Sequence, residues 1–178
     1  MTYKLLYVFV EGNDDERFFE RVIKPLLEKK YDHVQIIKYA EEKDEKIINW
    51  IKSIESMDWA DYIYVADINN SPCITRRKEK IKQRYKNVDN NKIIIVIKKI
   101  ESWYIAGISP ELAKKLKIKL THNIDANTIT KEQFNNLIPK NDSRINFMIE
   151  ILKHYSIEIA RKKNKSFDYF MRKFIDAY

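Results

Sequence analysis

The sequence predicts an α/β sandwich built on a mainly parallel four-stranded sheet, and three observations point to it. Four short runs rich in β-branched and aromatic residues, including YIYVA and KIIIVI, recur before residue 100. None alternates strictly between apolar and polar, the pattern of strands buried on both faces. Stretches of helical period separate them, giving a β-α-β-α-β-α-β order whose crossovers should wind right-handedly.

The first strand runs from Tyr3 to Val10 and stops at Glu11 and Gly12. Asp14 to Lys29 follows as a helix presenting Phe18, Phe19, Val22 and Ile23, with Pro25 expected to kink it. His33 to Tyr39 forms the second strand. Asp44 to Met57 presents Ile47, Ile51 and Ile54 as the second helix, and Asp61 to Ala66 is the third strand. A short, very basic helix spans Thr75 to Tyr85 before the fourth strand, Lys92 to Ile97. Beyond residue 101 the pattern is helical. Ser109 and Pro110 open one helix and Thr130 caps another, while Asp142 to Arg161 carries Ile145, Met148, Ile149, Leu152, Tyr155 and Ile159 on one face. Ser166 is expected to cap a last helix bearing Phe167, Phe170, Met171, Phe174, Ile175 and Tyr178. The expected organisation is an α/β domain over 1–106 and a helical extension over 107–178 docking on it.

Composition narrows the classes. With 178 residues and 44% hydrophobic content the chain can build a real core, and its two glycines and four prolines mark no linker. The formal charge of +8 favours an anionic partner, although 26 acidic residues are interspersed among 34 basic ones. The single cysteine, Cys73, excludes an internal disulfide and a Cys-rich zinc site, which suits the reducing cytoplasm. His33, His122 and His154 are isolated, and no run reaches membrane-spanning length.

In an open parallel sheet, ligands bind outside the carboxyl ends of the strands. Glu11 closes the first strand, Asp67 the third in YIYVADINN, and Glu101 follows the fourth in IVIKKIES. Each alone reads as a helix cap or a helix start. Gathered together they would repel one another unless a cation or proton sits among them. Oxygen-only ligands suit Mg²⁺ or Mn²⁺.

The strand-Glu-Gly turn at Glu11 and Gly12, followed two α/β units later by Asp67, resembles the TOPRIM domain, and most nearly its OLD-type nucleases and the small defence-associated RloB-like proteins. The resemblance covers about residues 1–106 and extends to IESWYIA, with weaker similarity in SFDYF. It implies a TOPRIM/Rossmann-like sandwich, with Glu11 in acid-base or metal chemistry, Asp67 as a magnesium ligand, and Asp15 as the further acid four positions after the glutamate. The second aspartate of the family's Asp-x-Asp motif is Asn69 here, an amide that ligates without adding charge. Glu101 or Asp15 would then complete the site.

Metal-dependent phosphodiester hydrolysis on DNA or RNA is the expected activity. The helix TRRKEKIKQRYK places Arg76, Arg77, Lys78, Lys80, Lys82, Arg84 and Lys86 soon after Asp67, where they could hold a polyanionic backbone, and Lys98 follows the fourth strand. A catalytically silent nucleic-acid or protein-binding module is the main alternative. A phosphoacceptor receiver, with Asp67 and Lys98 in role, fits less well because Asp14 and Asp15 fall in a helix. Trp103 and Tyr104 read as core more readily than as a base-stacking platform. A homodimer or protein partner is expected only by analogy.

Overall fold

The structure is a computed structural model that describes residues 3–86, 88–120 and 124–177; His122 and Tyr178 lie outside the described residues. The chain divides into two compact units, 1–96 and 97–178. The division falls earlier than the expected end at residue 106, because the IESWYIA helix packs with the helices that follow it.

The first unit is a four-stranded parallel sheet in the order β2-β1-β3-β4, formed by β1 (Leu5–Val10), β2 (His33–Lys38), β3 (Ala60–Asp67) and β4 (Ile93–Val96). Leu5 pairs with His33 on one side and with Ala60 on the other, so β1 is central. Its LLYVFV run is buried at five of six positions, as a strand covered on both faces requires.

Two helical layers follow from the crossovers. On one face, Phe9, Tyr62, Tyr64, Ile93 and Ile95 pack with Ile47, Ile51 and Ile54 of α3 (Asp44–Glu55) and Ile81 of α4 (Ile74–Arg84). Strand alternation turns Val8, Val10, Ile63 and Val65 to the other face. There the chain runs through α1 (Asn13–Phe18), a π-helical turn at Phe19–Ile23 and α2 (Lys24–Leu27). The expected kink at Pro25 takes this form. Proline has no N–H and its ring crowds the carbonyl four residues back, so the helix widens by one residue just before it.

The second unit is helical among its described residues: α5 (Glu101–Ala106), α6 (Pro110–Lys115), α7 (Lys131–Asn136), α8 (Arg144–Lys153), α9 (Ile157–Lys163) and α10 (Lys165–Phe170), the last running into a π-helical turn at Met171–Asp176. Ser109, Thr130, Ser143, Ser156 and Asn164 each accept an N-cap hydrogen bond, and Thr130 with Gln133 completes a capping box.

Two expectations are corrected here. The helix expected over Asp142 to Arg161 breaks at 154–156, where the Tyr155 hydroxyl donates to the Trp103 carbonyl at 2.6 Å and Ser156 N–H donates to the Gly107 carbonyl at 3.0 Å. Gly107 permits this approach, since a Cβ there would stand 2.1 Å from the Tyr155 ring. The last helix is capped by Asn164 rather than Ser166. Ser166 instead sits buried in the first turn, taking the Trp103 indole N–H at 2.9 Å and donating to Asn164 Oδ1 at 2.8 Å. Trp103 and Tyr104 are fully buried core residues, the packing role read for them in the sequence.

Phe9 is fully buried in the first unit's core, its ring centroid 6.3 Å from those of Trp50, Tyr62 and Tyr64. Phe9→Ala is expected to cost about 3–5 kcal/mol in urea unfolding, whereas Ile145→Ala, at an exposed position, should cost less than about 0.5 kcal/mol.

Candidate functional site at the carboxyl edge of the sheet

The strand order fixes where ligands can enter. The chain leaves β1 for β2 on one side and leaves β3 for β4 on the other, so helices diverge from the gap between β1 and β3 and open a crevice there. Glu11 follows β1 and Asp67 closes β3, and these strands are direct neighbours with Phe9 opposite Tyr64. Glu11 thus stands two residues past the paired position and Asp67 three, flanking the crevice from either side.

Asp15 joins them from the first turn of α1, after a tight entry in which Gly12 N–H donates to Asp15 Oδ2 at 3.3 Å. Asp15 and Asp67 are 7% and 5% exposed, unusually low for carboxylates. Burial, then the charges of Asp67 and Glu11, push the Asp15 carboxyl up to about 8 against the pull of its backbone hydrogen bonds. Glu11 Oε2 is buried without a hydrogen-bond partner. The Glu11 carbonyl accepts from Ala40 N–H at 3.3 Å, which draws the 3₁₀ turn Tyr39–Glu41 to the same edge.

On the α3/α4 side of Glu11 opens a cleft of about 360 Å³. Tyr39, Tyr64 and Tyr85 line it, with Tyr39 and Tyr64 stacked at 4.7 Å and Tyr64 and Tyr85 at 5.5 Å. Burial, before any other cause, raises all three phenols, so they stay neutral hydroxyls. The Tyr39 and Tyr85 hydroxyls meet no partner at hydrogen-bonding geometry, although the Tyr64 hydroxyl is near enough to influence both. Arg77, Lys80 and Arg84 complete the wall. With Ile81 they occupy i, i+3, i+4 and i+7 of α4, where an amphipathic helix ordinarily sets its apolar stripe. Arg77 Nε donates to the Asp67 carbonyl at 2.7 Å. Arg84 makes two 2.8 Å hydrogen bonds to Asp44, the first residue of α3. Lys80 makes no ion pair or hydrogen bond among the described residues.

The residues named from the sequence are distributed unevenly. Glu11, Asp15 and Asp67 come together. Asn69 also lines the cleft, in the left-handed region at φ 50°, which asparagine tolerates better than most residues. Of the basic residues, Arg77 lines the cleft, Arg76 is exposed and paired with Glu79 at 2.9 Å, and Lys78 donates to the Asn90 carbonyl at 3.1 Å. Glu101 and Lys98 belong to the second unit. Glu101 is 3% exposed and bound by Arg144 at 2.7 Å, and Lys98 is an exposed turn residue at φ 66°. Sequence reading missed the three tyrosines and Lys38, whose ammonium, raised in pKa first by Glu41, bridges Glu41 at 3.0 Å and Glu16 at 3.4 Å beside the crevice.

Among the described residues no three His, Cys, Asp or Glu side chains are grouped so as to hold a metal ion. A magnesium-type ion commonly takes only one or two carboxylates and keeps its remaining waters, and Glu11 Oε2 has no hydrogen-bond partner among the described residues. No protein-family model, curated protein or solved structure matches the chain. The fold and site define a parallel α/β unit with an acidic crevice at its topological switch point and a basic, tyrosine-lined cleft beside it.

Asp15 titrates near 3.8 in an unfolded chain and near 8 in the folded one. Between those values the folded state holds a proton that the unfolded state has released, so stability falls as pH rises from about 4 to about 8. Asp15→Asn, which keeps the acceptor for Gly12 N–H, should flatten that decline, with the largest gain in melting temperature at pH 8 and little near pH 4.

Proposed function

We propose that the first unit is a metal-dependent phosphodiesterase acting on nucleic acid, with a TOPRIM-like acidic site made by Glu11, Asp67 and Asp15. One observation carries this reading: carboxylates from the end of β1, the first turn of α1 and the end of β3 meet at the switch-point crevice, where burial first, and then the charges of Asp67 and Glu11, push Asp15 up to about 8. Such crowding costs stability and is relieved by a bound cation. The resemblance of the Glu11-Gly12 turn and Asp67 to TOPRIM motifs supports it, as do the cations of α4 on the neighbouring cleft wall.

Glu11 and Asp67 would hold Mg²⁺ or Mn²⁺, with Asn69 as a neutral oxygen donor nearby. The ion, when bound, polarises a phosphoryl oxygen and lowers the pKa of a water. Glu11, with one carboxylate oxygen unengaged by the protein, takes or returns the proton of the attacking water. Asp15 carries a proton at neutral pH and so keeps the local negative charge to two carboxylates. Arg77 and Lys80 neutralise the phosphate on the cleft side, and the tie from Arg77 Nε to the Asp67 carbonyl fixes the guanidinium against the end of β3. A non-catalytic nucleic-acid-binding module is the second reading, favoured by Asn69, which withholds the charge a second aspartate would give the ion.

Incubation with single-stranded and duplex DNA and RNA separates the two. The expected result is cleavage with Mn²⁺ or Mg²⁺, none in EDTA, and a loss of about 100-fold or more in Glu11→Gln and in Asp67→Asn. Millimolar Mg²⁺ should also raise the melting temperature at pH 8 in the native protein and not in Asp67→Asn, a readout independent of turnover. Binding without cleavage in any metal supports the module and overturns the enzyme.

A further inference from the structure

We propose that the tyrosine-lined cleft between the Tyr39–Glu41 turn and α4 is a pocket for a phosphate monoester at the end of a nucleic-acid strand. It extends the phosphodiesterase reading to the class of substrate and rests on that reading for the identity of the strand. The pocket itself is argued from the Tyr39 and Tyr85 hydroxyls together with Arg77 and Lys80, the two cations that the hydrolysis reading also uses.

The chemistry of the lining selects an anion rich in oxygens. The Tyr39 and Tyr85 hydroxyls are buried in residues 6% and 1% exposed; the Tyr64 hydroxyl is close to both and Asp44 is close to Tyr85, but among the described residues no partner reaches either at hydrogen-bonding geometry. A buried hydroxyl left unsatisfied is costly, and a ligand oxygen accepting from it removes that cost. Tyr39 and Tyr85 line the same cleft as Lys80, which among the described residues makes no ion pair or hydrogen bond, and Arg77, whose Nε donates to the Asp67 carbonyl. Phenol, ammonium and guanidinium groups converging on one space are donors that a protein acceptor does not satisfy there.

The number of donors argues for a monoester over an internal diester. A diester offers two non-bridging oxygens and a single charge. A terminal phosphate offers three strong acceptor oxygens and close to two charges near neutral pH. Charge-assisted bonds from Arg77 and Lys80 therefore gain most from the terminal group. The shape agrees. The bidentate Arg84–Asp44 pair ties α4 to the first residue of α3 beside the cleft. Glu11 also lines the cleft and repels an anion, which favours the α4 side for the phosphate and sets the next linkage of the strand towards the carboxylates.

The test is binding in EDTA, where the hydrolysis reading plays no part. Fluorescence anisotropy would compare one labelled single-stranded oligonucleotide carrying a phosphate or a hydroxyl at its 5′ end, and the same pair at its 3′ end. A phosphorylated end should bind about tenfold or more tightly than its hydroxyl counterpart, and inorganic phosphate should compete. The preference should disappear in Lys80→Gln combined with Tyr85→Phe, substitutions at an exposed side chain and of one hydroxyl, and should weaken in Tyr39→Phe, with circular-dichroism melting confirming the fold. Equal affinity for phosphate and hydroxyl ends overturns the pocket, as does a preference untouched by these variants. Inorganic phosphate or a nucleoside monophosphate binding as tightly as the phosphorylated strand overturns the strand assignment. An end preference in a protein that cleaves nothing overturns the hydrolysis reading alone, while cleavage without any end preference overturns the pocket alone.

Discussion

Repulsion among the carboxylates at the carboxyl edge of β1 and β3 is the constraint on which the site depends. Glu11, Asp15 and Asp67 are brought there by the backbone: Glu11 just past the end of β1, Asp67 at the end of β3, and Asp15 by the tight Gly12 entry into α1. A protein tolerates such a cluster by holding a proton, by holding a cation, or by placing positive charge close by. Two of these devices are seen in the arrangement: the raised Asp15 carboxyl and the Arg77 guanidinium bonded to the backbone of Asp67 itself.

The same geometry explains why acidic and basic surfaces adjoin without cancelling. α4 begins a few residues past the end of β3, and its helical period returns a cation to the same wall at positions 77, 80 and 84. Several cations elsewhere among the described residues are spent on local ion pairs, as in Lys46 with Glu42 and Lys162 with Glu158. Arg84 is bound as well, but its partner lies on a different helix, so it braces the wall. The functional surface thus arises from spacing within one short helix rather than from the net charge of the chain.

Much of this was legible in the sequence. Strand runs such as KIIIVI have few alternatives once both faces must be buried, and a carboxylate at the end of β1 and another at the end of β3 can be read from order alone. The tyrosine wall was not legible. Tyr39, Tyr64 and Tyr85 come from three elements, and only the crossing of α4 over the β3 end brings them together; in the sequence each reads as an ordinary apolar core position. Glu101 shows the opposite limit, since a strand-following glutamate looks like a metal ligand until its arginine, forty-three residues away, is seen. The break at 154–156 was hidden because a hydrophobic stripe continues across it, and tertiary hydrogen bonds from Tyr155 and Ser156 outweigh local helix propensity.

The Trp103–Ser166–Asn164 chain of hydrogen bonds has a consequence for biosynthesis. It joins residues 63 positions apart, and the Ser166 hydroxyl is the buried partner of the Trp103 indole. While the polypeptide emerges from the ribosome, the parallel sheet can close as soon as β4 is out, but Trp103 must wait with its indole unsatisfied until the final helix has been translated. The helical unit is therefore the late-folding half of the molecule, and its aromatic side chains are the ones a chaperone would meet.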